Sequence, residues 1–362
     1  LHYPLRRQRQ MCIRDRSTAA PLGFAPPPHL QVREEWLALR REAPLEPKRE
    51  IVDAHHHLWD RPESSGRYLL DELLTDIADS GHNIVQTIYV QARSMYLQDG
   101  PEELRPVGEV QFARAVAEAS AGRQVRACAG IVGCADLTLG DAVAPVLAAL
   151  IEAGKGGLRG IRYPVSHHPD PRVRASIALP PPGVMLSQDF QDGARQVAKA
   201  GLSLDIWAYH PQLEEIEALA RAVPELSIIV DHVGGPLGVG PFEGRRADGE
   251  AECLAGLRRL AALPNISLKL GGLAMVVSGF DFHSAPLPPS SAQLAQAWRP
   301  MVEGAIALFT PARCMFESNF PVDKGMVGYG TTWNAFKRLA AGYSEAEKVD
   351  LFAGTARRIY RI

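Results

Sequence analysis

The sequence predicts an α/β protein folded as a (β/α)8 TIM barrel, and three observations carry that prediction. Short runs rich in Val, Ile and Leu alternate with longer stretches whose apolar residues recur at spacings of three and four, the pattern of strands alternating with amphipathic helices. Eight such runs occur, each nearly continuously apolar, as strands buried on both faces of a parallel sheet must be. Ionisable residues gather at the carboxyl ends of the runs, where barrels of this kind build their active sites. A doubly wound open sheet is the alternative, but it ordinarily carries a Gly-rich phosphate loop after an early strand, and the sequence has none.

Taken in order, the strands are expected at 51–58, 85–91, 125–133, 157–164, 202–208, 227–233, 266–271 and 314–319. Helices are expected between them at 107–121, 140–153, 189–200, 211–222, 249–262 and 292–308. Residues 1–16, LHYPLRRQRQMCIRDR, hold five arginines and one acid without any periodicity, and are read as a leader foreign to the domain. Residues 17–49 form a linker with a Pro26-Pro27-Pro28 run and a short charged helix around 32–41, leaving 50–362 as the barrel domain.

Composition excludes several classes. With 39 basic and 41 acidic side chains there is no field to draw nucleic acid or an anionic membrane surface, so neither is an expected partner. No uninterrupted apolar run approaches the roughly 20 residues a membrane helix requires. Five scattered cysteines without CxxC spacing argue against a disulfide scaffold or a thiolate zinc site, and point to the cytoplasm. A homo-oligomer is compatible with all of this.

The first strand carries the chemistry. In Asp53-Ala54-His55-His56-His57 the alternation of a strand puts Asp53, His55 and His57 on one face and His56 on the other. Two imidazoles at i and i+2 can converge on one ion or one reacting oxygen, and the carboxylate behind them can hold a ring in one tautomer. Arg162 follows strand four, Asp205, Trp207, Tyr209 and His210 end strand five, and Asp231-His232 ends strand six. Lys269 lies late in strand seven, and Glu317-Ser318-Asn319 closes strand eight with Asp323 just beyond. A lone histidine at a loop edge is usually structural; the common position of these residues is the signal.

The stretches DAHHHLW (53–59), YHPQL (209–213), VDHVGGP (230–236), SLKLGGLAM (267–275) and RCMFESNFPVDK (313–324) resemble the amidohydrolase superfamily, in its branch of sugar lactonases and pyrone dicarboxylate lactonase. The resemblance implies reaction-centre roles for His55, His57, His210 and His232. It also implies a single divalent ion such as Zn2+, held by His55, His57 and His210, although the branch includes metal-independent members. Where relatives read Ser-Asp-Trp-Pro this chain reads Ser318-Asn319-Phe320-Pro321, and an amide has no useful basicity. Asn319 is therefore expected at the reaction centre but not as the base, which leaves Asp323, Glu317 and His232. Tyr163 and Pro164 stand where bridged two-metal members carry a lysine, which disfavours a binuclear centre.

Arg162 and Lys269 are expected to grip a substrate carboxylate, with Trp207 and Tyr209 as pocket walls. The reading is a hydrolase that opens a small carboxylated lactone, or a related ester or amide, by directing water at a carbonyl. A decarboxylase or hydratase on the same residues is the alternative, followed by a small-molecule binder that has lost turnover. The partner in every case is a small acid or lactone.

Overall fold

The structure, a computed structural model, describes residues 23–24, 29–62 and 64–362; the 1–16 leader and the Pro26-Pro27-Pro28 run lie outside the described residues. All eight expected strands form. They are β1 (Glu50–His56), β2 (Asn83–Val90), β3 (Arg126–Gly133), β4 (Leu158–Arg162), β5 (Ser203–Ile206), β6 (Ile228–Val230), β7 (Ile266–Leu270) and β8 (Cys314–Phe316). Each is parallel to its neighbour in sequence order, with Leu204 beside Ile228, Ile228 beside Ile266 and Leu268 beside Cys314. The ends meet just past β8, where Asn319 N–H donates to His55 O at 2.9 Å and His57 N–H to Phe320 O at 2.8 Å. Those two bonds close the barrel at the mouth that carries the polar residues.

The outer layer comprises α1 (Leu70–Ser80), α2 (Val107–Ala119), α3 (Ala144–Gly154), α4 (Gln188–Lys199), α5 (Leu213–Ala222), α6 (Arg246–Ala261), α7 (Ser291–Phe309) and α8 (Tyr329–Leu339). The helix expected at 140–153 starts later because Gly140 takes φ 59°, ψ −136° and separates a 3-10 turn from α3. Leu137–Gly154 is long and apolar enough by composition to cross a membrane, although Asp141 and Glu152 interrupt it. In the fold that stretch is broken at Gly140, and Val143, Val146, Leu147 and Leu150 are buried in the core. Helices α1 and α8 were not among those expected from periodicity. The first is amphipathic, burying Leu73 and Ile77, and the Gly81 C-cap at φ 65° ends it as left-handed glycine caps do.

A last helix, α9 (Thr355–Tyr360), fills the end of the barrel opposite the mouth. Ala356 and Tyr360 pack on Val52, Ile88, Val132, Ile229 and Met315, and the Tyr360 hydroxyl donates to Asp205 Oδ2 at 2.6 Å. On the flank, the chain from residue 29 to 49 is tied to the barrel by side chains. Trp36 Nε1–H donates to Ala285 O at 3.0 Å, Arg40 to Pro288 O at 2.7 Å, and Leu45 N–H to Asn334 Oδ1 at 2.7 Å. The charged helix expected at 32–41 is only Glu34–Leu37, one turn, with no side-chain cap at its start.

Candidate active site

Within the barrel mouth the strands deliver a layer of ionisable side chains that water does not reach. His55, Asp205, Asp231, Lys269 and Glu317 each have no exposed surface. Lys269 Nζ lies 2.7 Å from Asp205 Oδ2, 3.0 Å from Asp231 Oδ1 and 3.2 Å from His55 Nδ1. Burial opposes its charge, but Asp205, Asp231 and Glu317 outweigh that and raise its pKa. The anchoring of a substrate carboxylate expected of Lys269 does not match this position. It lies beneath the imidazoles, bound to carboxylates of the protein.

Glu317 spans two histidines. Its Oε1 accepts from His232 Nδ1 at 2.7 Å and from the His232 backbone at 3.1 Å, and Oε2 lies 2.9 Å from His55 Nδ1. Burial alone would raise its pKa; the neighbouring His232 and His55 reverse that and bring it down to about 2. Glu317 thus stays ionised, and it fixes the hydrogen of His232 on Nδ1, leaving its Nε2 as the nitrogen with a lone pair. His57 is fixed the same way by the Val90 carbonyl, 2.8 Å from its Nδ1. The Nε2 atoms of His55 and His57 face each other at 3.2 Å, and His55 Nδ1 lies between Glu317 Oε2 and the Lys269 ammonium. Burial lowers both pKa values, His55 to about 4 with Lys269 adding to the effect, and His57 well below its usual value.

Asp53 does not orient a ring, as strict alternation suggests it would. The β1–β2 ladder shifts register between Asp53 and His56, and the carboxylate accepts from Ser318 N–H at 2.8 Å and Tyr329 Oη–H at 2.9 Å. Burial raises its pKa to about 6, with Ser318 and Tyr329 pulling the other way. His56 points away, as expected, with Nε2 2.8 Å from Thr87 Oγ1.

Above this layer opens a cavity lined among others by His57, Trp59, Arg61, Arg162, Trp207, His232 and Asn319. Arg162 is braced by Gln91 O at 2.6 Å and Asp231 Oδ2 at 3.4 Å, and its Nη1 is 3.3 Å from His55 Nε2. Trp207 sits edge-on to His232 at 4.7 Å between ring centres, and Arg61 lies 4.8 Å over Trp59. Asn319, at φ 55°, donates from Nδ2 to Asp323 Oδ1 at 2.8 Å, which turns its amide oxygen away from that carboxylate. That oxygen is buried and has no partner.

Three expected site residues are placed elsewhere. His210 follows β5 in a short turn, where its Nδ1 accepts from Leu237 N–H at 3.2 Å and its ring meets Phe242 edge-on at 4.9 Å. Its Nε2 is 3.6 Å from the Glu252 carboxylate, and among the described residues it does not join the group of possible ligands that His55 forms with Asp231 and His232. Tyr209 lies behind the cavity wall, accepting from Ala175 N–H at 2.9 Å. Asp323 is committed to Asn319 and to Ala274 N–H at 3.1 Å, so it is a positioning group for the amide and not a base facing water. Burial pushes its carboxyl up to about 7, against the pull of His232. Sequence reading missed Arg61, Gln91, Arg93 and His29, all of which line the cavity. Gln91 and Arg93 follow β2 and obey the strand-end rule that identified the others; His29 precedes the barrel, and nothing in the sequence marks it.

Two glycines after β7 explain the SLKLGGLAM stretch. A Cβ on Gly272, at φ +64°, would lie 2.4 Å from His232 Nδ1, and one on Gly271 would lie 2.4 Å from Glu317 Cγ. Gly272→Ala is expected to lose about 1–3 kcal/mol of stability from the strained backbone and the clash. It should also lower turnover at least tenfold by parting His232 from Glu317. Thermal melts with kinetics on the same preparation check this, and unaltered turnover would show that the pair tolerates displacement.

A closed (β/α)8 barrel with paired imidazoles and carboxylate-backed histidines at its carboxyl mouth defines the class, and the comparison with known proteins gives the family. The chain belongs to the amidohydrolase family (Amidohydro_2), whose model matches residues 52–362. It is 31% identical over 333 residues to an uncharacterised protein, y4mH, of Sinorhizobium fredii, covering 86% of this chain and 98% of that one. It is 28% identical over 326 residues to L-fucono-1,5-lactonase of Burkholderia multivorans, covering 86% and 96% respectively. Among solved structures, a zinc-bound amidohydrolase from Burkholderia multivorans superposes with a TM-score of 0.66 at 24% identity, over 87% of this chain and all (100%) of that one.

Proposed function

We propose that the protein hydrolyses a small carboxylated lactone or a related ester, with His232 as the proton-transferring group. The observation that carries this reading is the Glu317-backed His232 on the wall of a cavity that also holds His57 and three arginines, Arg61, Arg93 and Arg162. An imidazole whose Nδ1–H is tied to a carboxylate is oriented to accept a proton at Nε2, and the carboxylate stabilises the imidazolium that results. The arginines suit an acid group, and Trp59 and Trp207 offer apolar faces to a ring.

In the reaction, Arg162, held by Gln91 O and Asp231, fixes the substrate anion so that the ring carbonyl faces His57. His232 takes a proton from water as the water oxygen bonds to the carbonyl carbon. When the ring carbon–oxygen bond breaks, His232 returns that proton to the departing alkoxide, and the product is a hydroxy acid. The 28% identity to a lactonase supports this choice of substrate class.

The residues also fit a divalent cation. The Nε2 atoms of His55 and His57 lie 3.2 Å apart, close enough to share one ion. The Asn319 amide oxygen is buried and unpartnered beside them. The ion would rest on His55, His57 and Asn319. The grouping of His55, Asp231 and His232 is a poorer place for it, because the Lys269 ammonium is already there. A bound divalent ion such as Zn2+ would supply Lewis-acid polarisation of the carbonyl.

The test is acid release from a panel of aldono-1,5-lactones, including L-fucono-1,5-lactone, with elemental analysis of the same protein. Turnover, about one metal per chain, and at least a tenfold loss on chelation reversed by added Zn2+ are the expected results. Carbon dioxide release from an aromatic acid with no action on lactones would transfer the protein to the decarboxylases. Ligand capture with no turnover would make it a binder.

A further inference from the structure

We propose that the segment ahead of the barrel is part of the substrate site, and that His29 is a substrate-binding residue that sets specificity at the outer end of the cavity. This rests on the hydrolase reading above for the nature of the substrate. Residues 29–49 precede the stretch matched to the family, which opens at residue 52, yet His29 lines the main cavity together with Trp59, Arg61, Ala175 and Met275.

The ring is held there by stacking. His29 lies 6.0 Å from Trp59 with 16° between the planes, and Trp59 lies 5.9 Å from His57 with 21°. The three rings form a column running from the outer segment to the paired imidazoles. The backbone of Gly23–Phe24 pairs antiparallel with Ala178–Leu179, and Ala178 lines the same cavity. Leu30 packs so closely on Gly325 that a Cβ there would lie 2.5 Å from the Leu30 Cβ, which fixes the backbone next to His29.

His29 Nδ1 is buried with no partner. The other ring nitrogen is left to interact with the Ala175 backbone, an interaction that favours a hydrogen on that side. Burial, with Arg61 adding to it, lowers the pKa of His29 to about 4, so the ring is neutral and Nδ1 is an acceptor. A buried acceptor without a donor is costly unless a ligand supplies one. The chemistry that fits is a hydroxyl on the substrate, at the end away from the reacting carbonyl. A polyhydroxylated lactone carries such a group, whereas an aromatic acid bearing only carboxylates does not.

His29→Phe keeps the stack and removes the nitrogen; His29→Ala removes both. L-fucono-1,5-lactone turnover and calorimetric binding of L-fuconate, its ring-opened acid, are measured for the wild type and both variants, with circular dichroism to confirm the fold. The expected result for His29→Phe is a rise of about fivefold to tenfold in KM and in the dissociation constant of the acid, with kcat within about twofold. His29→Ala should show at least the same rise. Unchanged KM and binding in His29→Phe would overturn the assignment while leaving the lactonase reading intact. Binding of the acid that weakens in His29→Phe, without lactone turnover by any form, would overturn the reaction and uphold His29 as a binding residue. A wild-type protein that binds neither compound would overturn both.

Discussion

Replacing His55 and His57 together with Ala is expected to lower kcat/KM by at least about 10³-fold, equivalent to about 4 kcal/mol of transition-state stabilisation. Both Nε2 atoms converge at 3.2 Å on the place where, in the proposed reaction, a bound cation would polarise the carbonyl. His57 borders the cavity, so its loss enlarges an existing space; His55 is fully buried, so its removal is also felt in the fold. Far-UV circular dichroism close to that of the wild type, with a melting temperature lowered by several degrees, separates loss of chemistry from loss of structure. Turnover within tenfold of the wild type would remove the reaction centre from this pair.

The second large effect is on stability. Lys269→Met keeps approximate volume but leaves Asp205 and Asp231 buried without the ammonium 2.7 and 3.0 Å away, and a broken buried pair typically costs about 3–5 kcal/mol. Urea denaturation measures the loss. Adding Asp205→Asn should recover part of it, because the two changes remove interacting partners. A loss under about 1 kcal/mol would mean that the carboxylates do not depend on Lys269 for their charge. The same layer sets an acid limit. Glu317 is held at about 2 in the fold against an ordinary 4.5, so its contribution is full above about pH 4.5 and disappears as pH falls toward 2. Glu317→Gln should flatten that acid limb.

Much of this protein could be read from its residues because the physics involved is local. Apolar runs long enough for one strand each, separated by helix-length amphipathic stretches, admit few folds, and all eight runs became barrel strands. The i, i+2 spacing of His55 and His57 survived folding because His55 lies at the end of β1 and His57 directly follows it. Asp231-His232 and Glu317 also arrived at the expected mouth, since strand ends in a closed barrel share one rim. What the order of residues could not convey was depth and turn geometry. Lys269 and Arg162 read alike as cations late in strands, but Lys269 lies between Leu268 and Leu270 below the histidines, while Arg162 ends its strand and reaches the cavity.

His210 shows the same limit. It lies four residues beyond the end of β5, and a turn of the backbone at His210–Gln212 sends its ring toward Leu237 and Phe242. Asp323 and Asn319 look interchangeable as site residues along the chain; only their side-chain bond shows that the acid holds the amide and the amide faces the substrate space. Fold class and the imidazole pair were therefore determined by sequence alone, because periodicity and parity act between near neighbours. Which carboxylate serves which histidine, where the lysine charge rests, and the reach of His29 into the cavity were decided by tertiary structure, because those contacts join residues far apart in the chain whose separation no local pattern encodes.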